Sequence, residues 1–466
     1  MATHRLQPTS STQILAAFAA NIAYESLPSE AVIALKQVVL DTLGTAVAAT
    51  TLGAGCRELV AVIRGMGGTA ESTIIGFGDR VPAAQAAYVN GGLAHALNYD
   101  AVGAGHPGVL VPAPLAVAEK LGNVSGKDFL AALAAGMEIT ARINAALMLA
   151  GVNASQTFLE GQLVSIFGAT ASAGCLLELS PTEMRSAVGL ALMQASGTMQ
   201  VVVGGDPPAK AIYAAFPNYG GVMAALLAKQ GLDAECDALE GEAGFFAMYY
   251  GGKYVREALV QGLGTEFRCT DVRFKPWPTS GIPHPFIQAA ANLAQGHALT
   301  PNAIQRIHVT ADPYARPWME PIAERRRPQN AASAANSIPF ATAKALVNGQ
   351  VTLADFTPAG LQEPEALAVA ERLEYSFDEG LKKGSAIVEV ATADGRRLTE
   401  RVDSPLGSAA NPMSYEQLVA KFRDCLSHAV KPIPESAVQE FIEMAAHLEE
   451  MPDVSALPTT LVAGRG

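Results

Sequence analysis

The sequence predicts a mainly helical protein: a large all-helical domain followed by a smaller α+β domain with an antiparallel sheet. Three observations point there. Half of the 466 residues are hydrophobic and only 16% are charged, with 43 glycines; this suits close-packed helices and excludes the charged, apolar-poor pattern of disorder. Apolar residues recur at helical spacing through roughly the first 263 positions. Near residue 268 the repeat shortens to two, the period of half-buried strands.

Taken in order, Pro28 and Ser29 start a helix carrying Leu35, Val39, Leu40 and Leu43. Ser125 with Asp128 caps the run Phe129, Leu133, Met137. Ser180-Pro181-Thr182-Glu183 reads as a capping box with proline at the first helical position, and predicts an apolar helix over 184–200. Arg306 to Val309 reads as a strand, as do Leu373, Tyr375, Phe377 and Val388, Val390, Thr392. Asp394-Gly395 predicts a type I′ hairpin turn leading to Leu398, Glu400, Val402. Helices over about 284–296 and 331–348 lie between the strands. Ser414 to Gln417 is a second capping box, opening a helix with Leu418, Phe422 and Cys425. The expected division is a helical domain over 1–265, an α+β domain over 266–404, and a helical tail over 405–466 that packs back on the first domain.

Net charge is −12, which disfavours nucleic acid as a partner, because phosphate contacts need a basic surface. Five scattered cysteines without a CxxC pair fit a reducing compartment rather than a disulfide framework or zinc site. Met1 to Ser11 lacks the layout of a signal peptide. The apolar stretch Ala187 to Val203 is broken by Gln194, Ser196, Thr198 and Gln200, so a buried helix is expected there, no membrane partner, and a cytoplasmic protein.

Asn90 to Gly108 is the segment richest in chemistry. It holds His95, Asn98, Asp100 and His106 within a glycine-rich run. Gly103 and Gly105 would let the backbone approach a ligand; His106 on such a loop could act as acid or base near neutral pH. The same residues could also be a helix end with satisfied polar side chains, and His95, set among alanine and leucine, reads as structural. Lys275, boxed between Phe274 and Pro276 beside Trp277, could lose its proton readily, bind a carboxylate, or be a linker lysine. His284 reads as structural. Lys210 follows Gly204-Gly205-Asp206-Pro207-Pro208 and suits anion capture at a helix start, or is simply solvated. Tyr314 and Arg316 precede Arg325-Arg326-Arg327; clustered arginines can clamp carboxylates, although the triple run suits a solvated loop. Glu138 and Arg142 are four apart and could pair with each other. No P-loop, GxGxxG, GxSxG, HExxH or iron–sulfur cysteine set is present, so the sequence supports no nucleotide or metal cofactor.

Together these segments resemble the MmgE/PrpD family, over nearly the whole chain to about residue 430. The motifs are Asn90 to Gly108, Phe167-Gly168-Ala169, Ala209-Lys210, Phe274-Lys275-Pro276 and Ser337-Ile338-Pro339-Phe340-Ala341. The resemblance implies a helical domain plus an α+β domain with a cleft between them, homodimers, no metal or nucleotide, and activities such as 2-methylcitrate dehydration, cis-aconitate decarboxylation or iminodisuccinate epimerisation. It also implies that His106 is an active-site histidine, that Lys210 and Lys275 line the cleft, and that Tyr314 stands beside an Arg-Pro pair.

This sequence departs from the family where dehydratases and decarboxylases usually carry a DFDD-type acidic run. Here that run reads Asn98-Tyr99-Asp100-Ala101, and the stretch Gln156 to Gln162 offers Glu160 but no histidine. Loss of water needs an acid for the leaving hydroxyl, whereas moving a proton across a carbon needs only two acid–base groups and charge stabilisation. The resulting expectation is a cofactor-independent epimerase acting alpha to a carboxylate on a small amino dicarboxylate such as iminodisuccinate. Lys275, His106 and Tyr314 would be catalytic, and Lys210, Arg316, Asn98 and Asp100 would bind substrate. The alternative is a hydro-lyase or decarboxylase on a methylcitrate- or aconitate-like tricarboxylate; a third reading is a non-catalytic dicarboxylate binder or an assembly protein on an inherited enzyme scaffold.

Overall fold

Local capping chemistry sets where the helices start. In the computed structural model, which describes residues 9–103, 105–153, 157–202 and 207–462, Ser180 and Ser414 each form the reciprocal capping box, and the Ser125 hydroxyl accepts from the Asp128 amide. The long helices Ser29–Leu52 and Gly126–Leu149 bury most of their residues on every side. Both are long and apolar enough to cross a membrane, yet 72% and 78% of their apolar windows are buried within the fold. An all-round apolar helix fits such a core position. Glu138 and Arg142 pair at 2.6 Å with both side chains fully buried. Arg142 also donates to the carbonyls of Leu259, Gln261 and Glu266, so the charge is fully partnered, as burial requires.

One hydrophobic core runs from Leu15 to Phe274 and takes in Leu418 to Leu461 of the tail; a second runs from Trp277 to Val402. The second surrounds a four-stranded sheet in the order Leu373–Phe377, Ile304–Ala311, Ala386–Thr392, Arg397–Val402. The sheet is mixed rather than purely antiparallel. Ile304–Ala311 pairs parallel with Leu373–Phe377, while the other two pairings are antiparallel. Residues 312–372 form the helical crossover that a parallel pair needs.

Two local expectations are corrected. The helix predicted over 184–200 spans Pro181–Leu192. Beyond it the chain turns out so that Thr198 bridges Phe158, and the Gly197 carbonyl accepts from the Leu159 amide. The hairpin at Asp394-Gly395 is not type I′, because only Gly395 has positive φ (85°). The Gly395 amide donates to the Thr392 carbonyl, and the Thr392 amide to that of Arg396. This is a three-residue loop closed by a left-handed glycine, and Asp394 is held by Thr392 and Arg396.

Candidate active site

The Ala83–His95 helix delivers His95 as its last residue. The Asn98 amide then donates to the His95 carbonyl at 2.8 Å, and Asn98 adopts a left-handed conformation (φ 50°). Asparagine tolerates this geometry better than most residues. The turn continues through Tyr99 and Asp100 into Val102–Gly103, which pairs antiparallel with Val272–Arg273. That short ladder brings Lys275 against the turn. A Cβ on Gly103 would lie 2.1 Å from the Asp271 carbonyl oxygen, and one on Gly105 would lie 2.8 Å from the Ala141 amide. The two glycines therefore let the backbone pack closely within the protein, and both line a pocket away from this turn's polar face.

A buried polar network results. His95 Nδ1 meets Asp100 Oδ2 at 3.0 Å. The Lys275 ammonium donates to the Asn98 carbonyl (2.7 Å) and to Asn98 Oδ1 (2.8 Å), with Asp100 Oδ1 at 3.9 Å. The Tyr99 hydroxyl donates to the Pro276 carbonyl at 3.1 Å. Behind the turn, Lys421 of the Tyr415–Ser427 helix donates to the Tyr99 carbonyl (2.6 Å) and pairs with Asp41 (2.7 Å). Burial opposes ionisation of Asp100, yet His95 and Lys275 bring its carboxyl down to about 2. Burial pushes the Lys275 ammonium below its ordinary range; Asp100 works against that push and Lys421 adds to it.

His106 follows in the left-handed region (φ 54°, ψ 58°), and Gly108 lets the chain pass Asp100, since a Cβ there would sit 2.9 Å from the Asp100 Cβ. Burial, then the charge on His95, lowers His106 to about 4, so it is neutral at pH 7. His284 is lowered to about 3 by burial and by Lys275 and Lys421.

Between the two cores lies a cavity of about 700 Å³, counting its open mouth. One wall carries His95, Asn98 and Lys210; the facing wall carries Ala331, Ala335, Asn336, Leu353 and Phe356. Lys210 sits on the Pro208–Ala211 turn of helix, and the preceding Gly204, Gly205 and Asp206 lie outside the described residues, as does Gln156.

The structure thus brings Lys210 and Asn98 to the cavity, with Asp100 and Lys275 one layer behind. His106 is close enough to the network for His95, Asp100 and Lys275 to act on its charge, but it is not among the residues of the cavity wall. Tyr314 and Arg316 are not brought there either. Tyr314 is 51% exposed and lies under Lys383; Arg316 pairs with Glu320 and stacks on Phe377. Arg326 and Arg327 pair with Glu371. Glu160, partly buried and pushed upward by that burial, lines a separate pocket with Arg268 and Arg273. Among the described residues no group of three metal-ligating side chains comes together.

Sequence reasoning passed over two residues. His95 reads as structural, yet it stands on the cavity wall with Asp100 behind it; the one local signal was a histidine at a helix end with a carboxylate five residues on. Lys421 gives no local signal at all.

Comparison with known proteins places this geometry. A model described as the MmgE/PrpD N-terminal domain matches residues 13–258, and one described as the MmgE/PrpD C-terminal domain matches residues 277–450. A cis-aconitate decarboxylase of Aspergillus terreus is 27% identical over 473 residues, covering 94% of this chain and 93% of the relative. The Homo sapiens cis-aconitate decarboxylase is 28% identical over 450 residues, covering 92% and 89%. The cis-aconitate decarboxylase-like protein oryM of Aspergillus oryzae is 28% identical over 424 residues, covering 84% and 85%. Two of the three are named as decarboxylases and the third as decarboxylase-like; none of the three is named as an epimerase.

Proposed function

The chain belongs to the MmgE/PrpD family, and from that premise we propose that it is a lyase releasing carbon dioxide from cis-aconitate or a close tricarboxylate analogue. The observation that carries the reading is the cavity wall itself: a histidine backed by a carboxylate, an amide backed by a buried ammonium, and a second lysine, all facing one cleft.

In such a reaction the bond from carbon to the departing carboxylate breaks. Its electron pair forms a new double bond, and the old double bond takes up a proton at its far carbon. The chemistry needs a proton donor, cations for the carboxylates that stay, and a dry place for the one that leaves. Asp100 takes His95 Nδ1, so Nε2 is the nitrogen left to serve substrate. Lys210 anchors a retained carboxylate. Lys275 acts through Asn98: by donating to both Asn98 oxygens it aims the amide nitrogen away from itself, toward an anionic ligand. Leu52, Leu97, Leu353 and Phe356 exclude water, and low polarity favours loss of charge as carbon dioxide departs.

A second reading is epimerisation of a small amino dicarboxylate such as iminodisuccinate. It is favoured by His95 and Lys210 lining the same cavity, so that a proton could leave one face of a carbon and return to the other. Proton NMR in deuterium oxide separates the two. Cis-aconitate, 2-methylcitrate and iminodisuccinate are offered separately to wild type, His95→Gln and Lys210→Ala. Deuterated decarboxylation product from cis-aconitate, lost in both variants, supports the lyase. Deuterium washing into iminodisuccinate while cis-aconitate stays inert sinks it in favour of the epimerase.

A further inference from the structure

The turn that supplies the cavity's polar wall is held from behind by side chains from two helices far apart in sequence. Asp41 sits in the Ser29–Leu52 helix and Lys421 in the Tyr415–Ser427 helix of the tail. Their side chains are essentially inaccessible, at 0% and 3%. A buried charge pair of this kind seldom adds net stability over an apolar replacement, so stability alone does not account for it.

We propose that Lys421 and Asp41 form a positioning pair that holds the Asn98–Asp100 turn and thereby sets how Lys275 meets Asn98 and Asp100. The inference rests on the reading of that turn as the substrate wall. The geometry is direct. Lys421 grips the turn at its centre, through the Tyr99 carbonyl, and its ammonium lies 3.8 Å from the centroid of the Tyr99 ring. Tyr99 in turn reaches the Pro276 carbonyl, next to Lys275. The two lysines therefore bond to adjacent carbonyls, Asn98 and Tyr99, from different elements. Neither lysine itself lines the cavity.

The pair also acts through charge. The groups facing Lys275 are Asp100, with His95 and His106 beyond it, His284 from the helix behind, and the pair Lys421 and Asp41. Lys421 disfavours the charge on Lys275 and Asp41 favours it. Intact, the two act on Lys275 in opposite directions, Lys421 more strongly than Asp41. Asp41→Asn leaves a buried positive charge uncompensated and moves Lys275 downward. Lys421→Met leaves Asp41 without its cation; burial already pushes that carboxyl upward, so it takes up a proton and the effect on Lys275 is small.

The test reads Lys275 directly. Protein with 13C-labelled lysine is titrated by NMR, the Lys275 ε-carbon signal being assigned by its loss in Lys275→Arg. Wild type, Asp41→Asn, Lys421→Met, Lys421→Arg and the double variant Asp41→Asn/Lys421→Met are compared, alongside kcat and KM with cis-aconitate. Asp41→Asn is expected to lower the Lys275 midpoint by about one pH unit and to cut kcat about tenfold. The double variant should return the midpoint toward wild type, and Lys421→Arg should keep it. A Lys275 midpoint unmoved in a folded Asp41→Asn, or a double variant no closer to wild type than the single, overturns the proposal. If Asp41→Asn does not fold, Lys421→Met decides in its place. It loses the grip on the Tyr99 carbonyl, so kcat should fall about tenfold, and a folded Lys421→Met with wild-type kcat on the substrate that NMR identifies overturns the proposal. Absence of turnover by the wild type would refute the lyase reading alone, since the titration needs no substrate.

Discussion

Replacing His284 with phenylalanine should flatten the acid side of the protein's stability curve. His284 is 6% exposed, and its ring meets Trp277 edge-on at 5.3 Å. Its Nε2 is buried without a hydrogen-bond partner among the described residues. Burial, then Lys275 and Lys421, holds it at about 3 against an ordinary 6.5. The unfolded chain therefore binds a proton that the folded chain refuses throughout the window between those values. At pH 7 and above the histidine is neutral in both states and costs nothing. As pH falls through 6.5 stability is lost at up to about 1.4 kcal/mol per pH unit, and the loss levels off only below about 3. Between pH 7 and pH 5 this single group should remove about 2 kcal/mol. Phenylalanine keeps the ring against Trp277 and cannot take the proton. Urea unfolding of wild type and His284→Phe at pH 7, 6 and 5 measures the difference. His106 titrates in the same window in both proteins, so it cancels. The quantity of interest is the change with pH, because the backbone contacts of the ring at Thr279 and Trp277, lost in the variant, shift both ends of its curve alike. Two curves that run parallel from pH 7 to pH 5 would refute the reasoning, and with it the view that His284 stays uncharged beside Lys275.

Three further outcomes follow from the same geometry. Asp100→Asn removes the acceptor that holds His95 and should lower kcat at least tenfold with little loss of helical circular dichroism, as measured with the substrate that NMR identifies. Gly407 and Gly384 both have left-handed backbones (φ 81° and 80°), but a Cβ on Gly407 would lie 2.3 Å from the Phe274 carbonyl oxygen, whereas one on Gly384 meets open space. Gly407→Ala should therefore lose about 1–3 kcal/mol more than Gly384→Ala in denaturant, and should impair turnover by displacing Lys275. Phe216 and Tyr219 are 46% and 39% exposed and cluster edge-on with Tyr88; light scattering should show a homodimer that Phe216→Asp combined with Tyr219→Asp dissociates, and a monomeric wild type would refute that.

What the sequence made legible was local. The boxes at Ser180 and Ser414 depend on side chains three residues apart, and both formed as read. The mainly helical architecture with a small sheet followed from periodicity. The parallel strand pair was hidden because pairing direction depends on where 61 residues of crossover, 312–372, return the chain. The apolar run after Leu192 overshot because Gly197 and Thr198 are drawn to Phe158 and Leu159, contacts to which composition is blind. In the site, Lys210, Lys275, Asn98 and Asp100 were legible as types, but their layering was not. Lys275 looked like a group that faces substrate, and only tertiary packing puts Asn98 in front of it. His95 was read as structural because its neighbours are alanine and leucine; its meaning depends on a left-handed Asn98 folding Asp100 back onto it.

The Asp41–Lys421 contact joins residues far apart in sequence, a separation of the kind that slows folding. During synthesis Asp41 leaves the ribosome long before its partner Lys421 is made. A nascent chain can form most of its helices before then, yet it has no cation for Asp41 and no grip on Tyr99. A formed cleft should consequently arrive only once the Tyr415–Ser427 helix has docked, and a chain cut short before Tyr415 would keep most of its helices without a held Asn98–Asp100 turn.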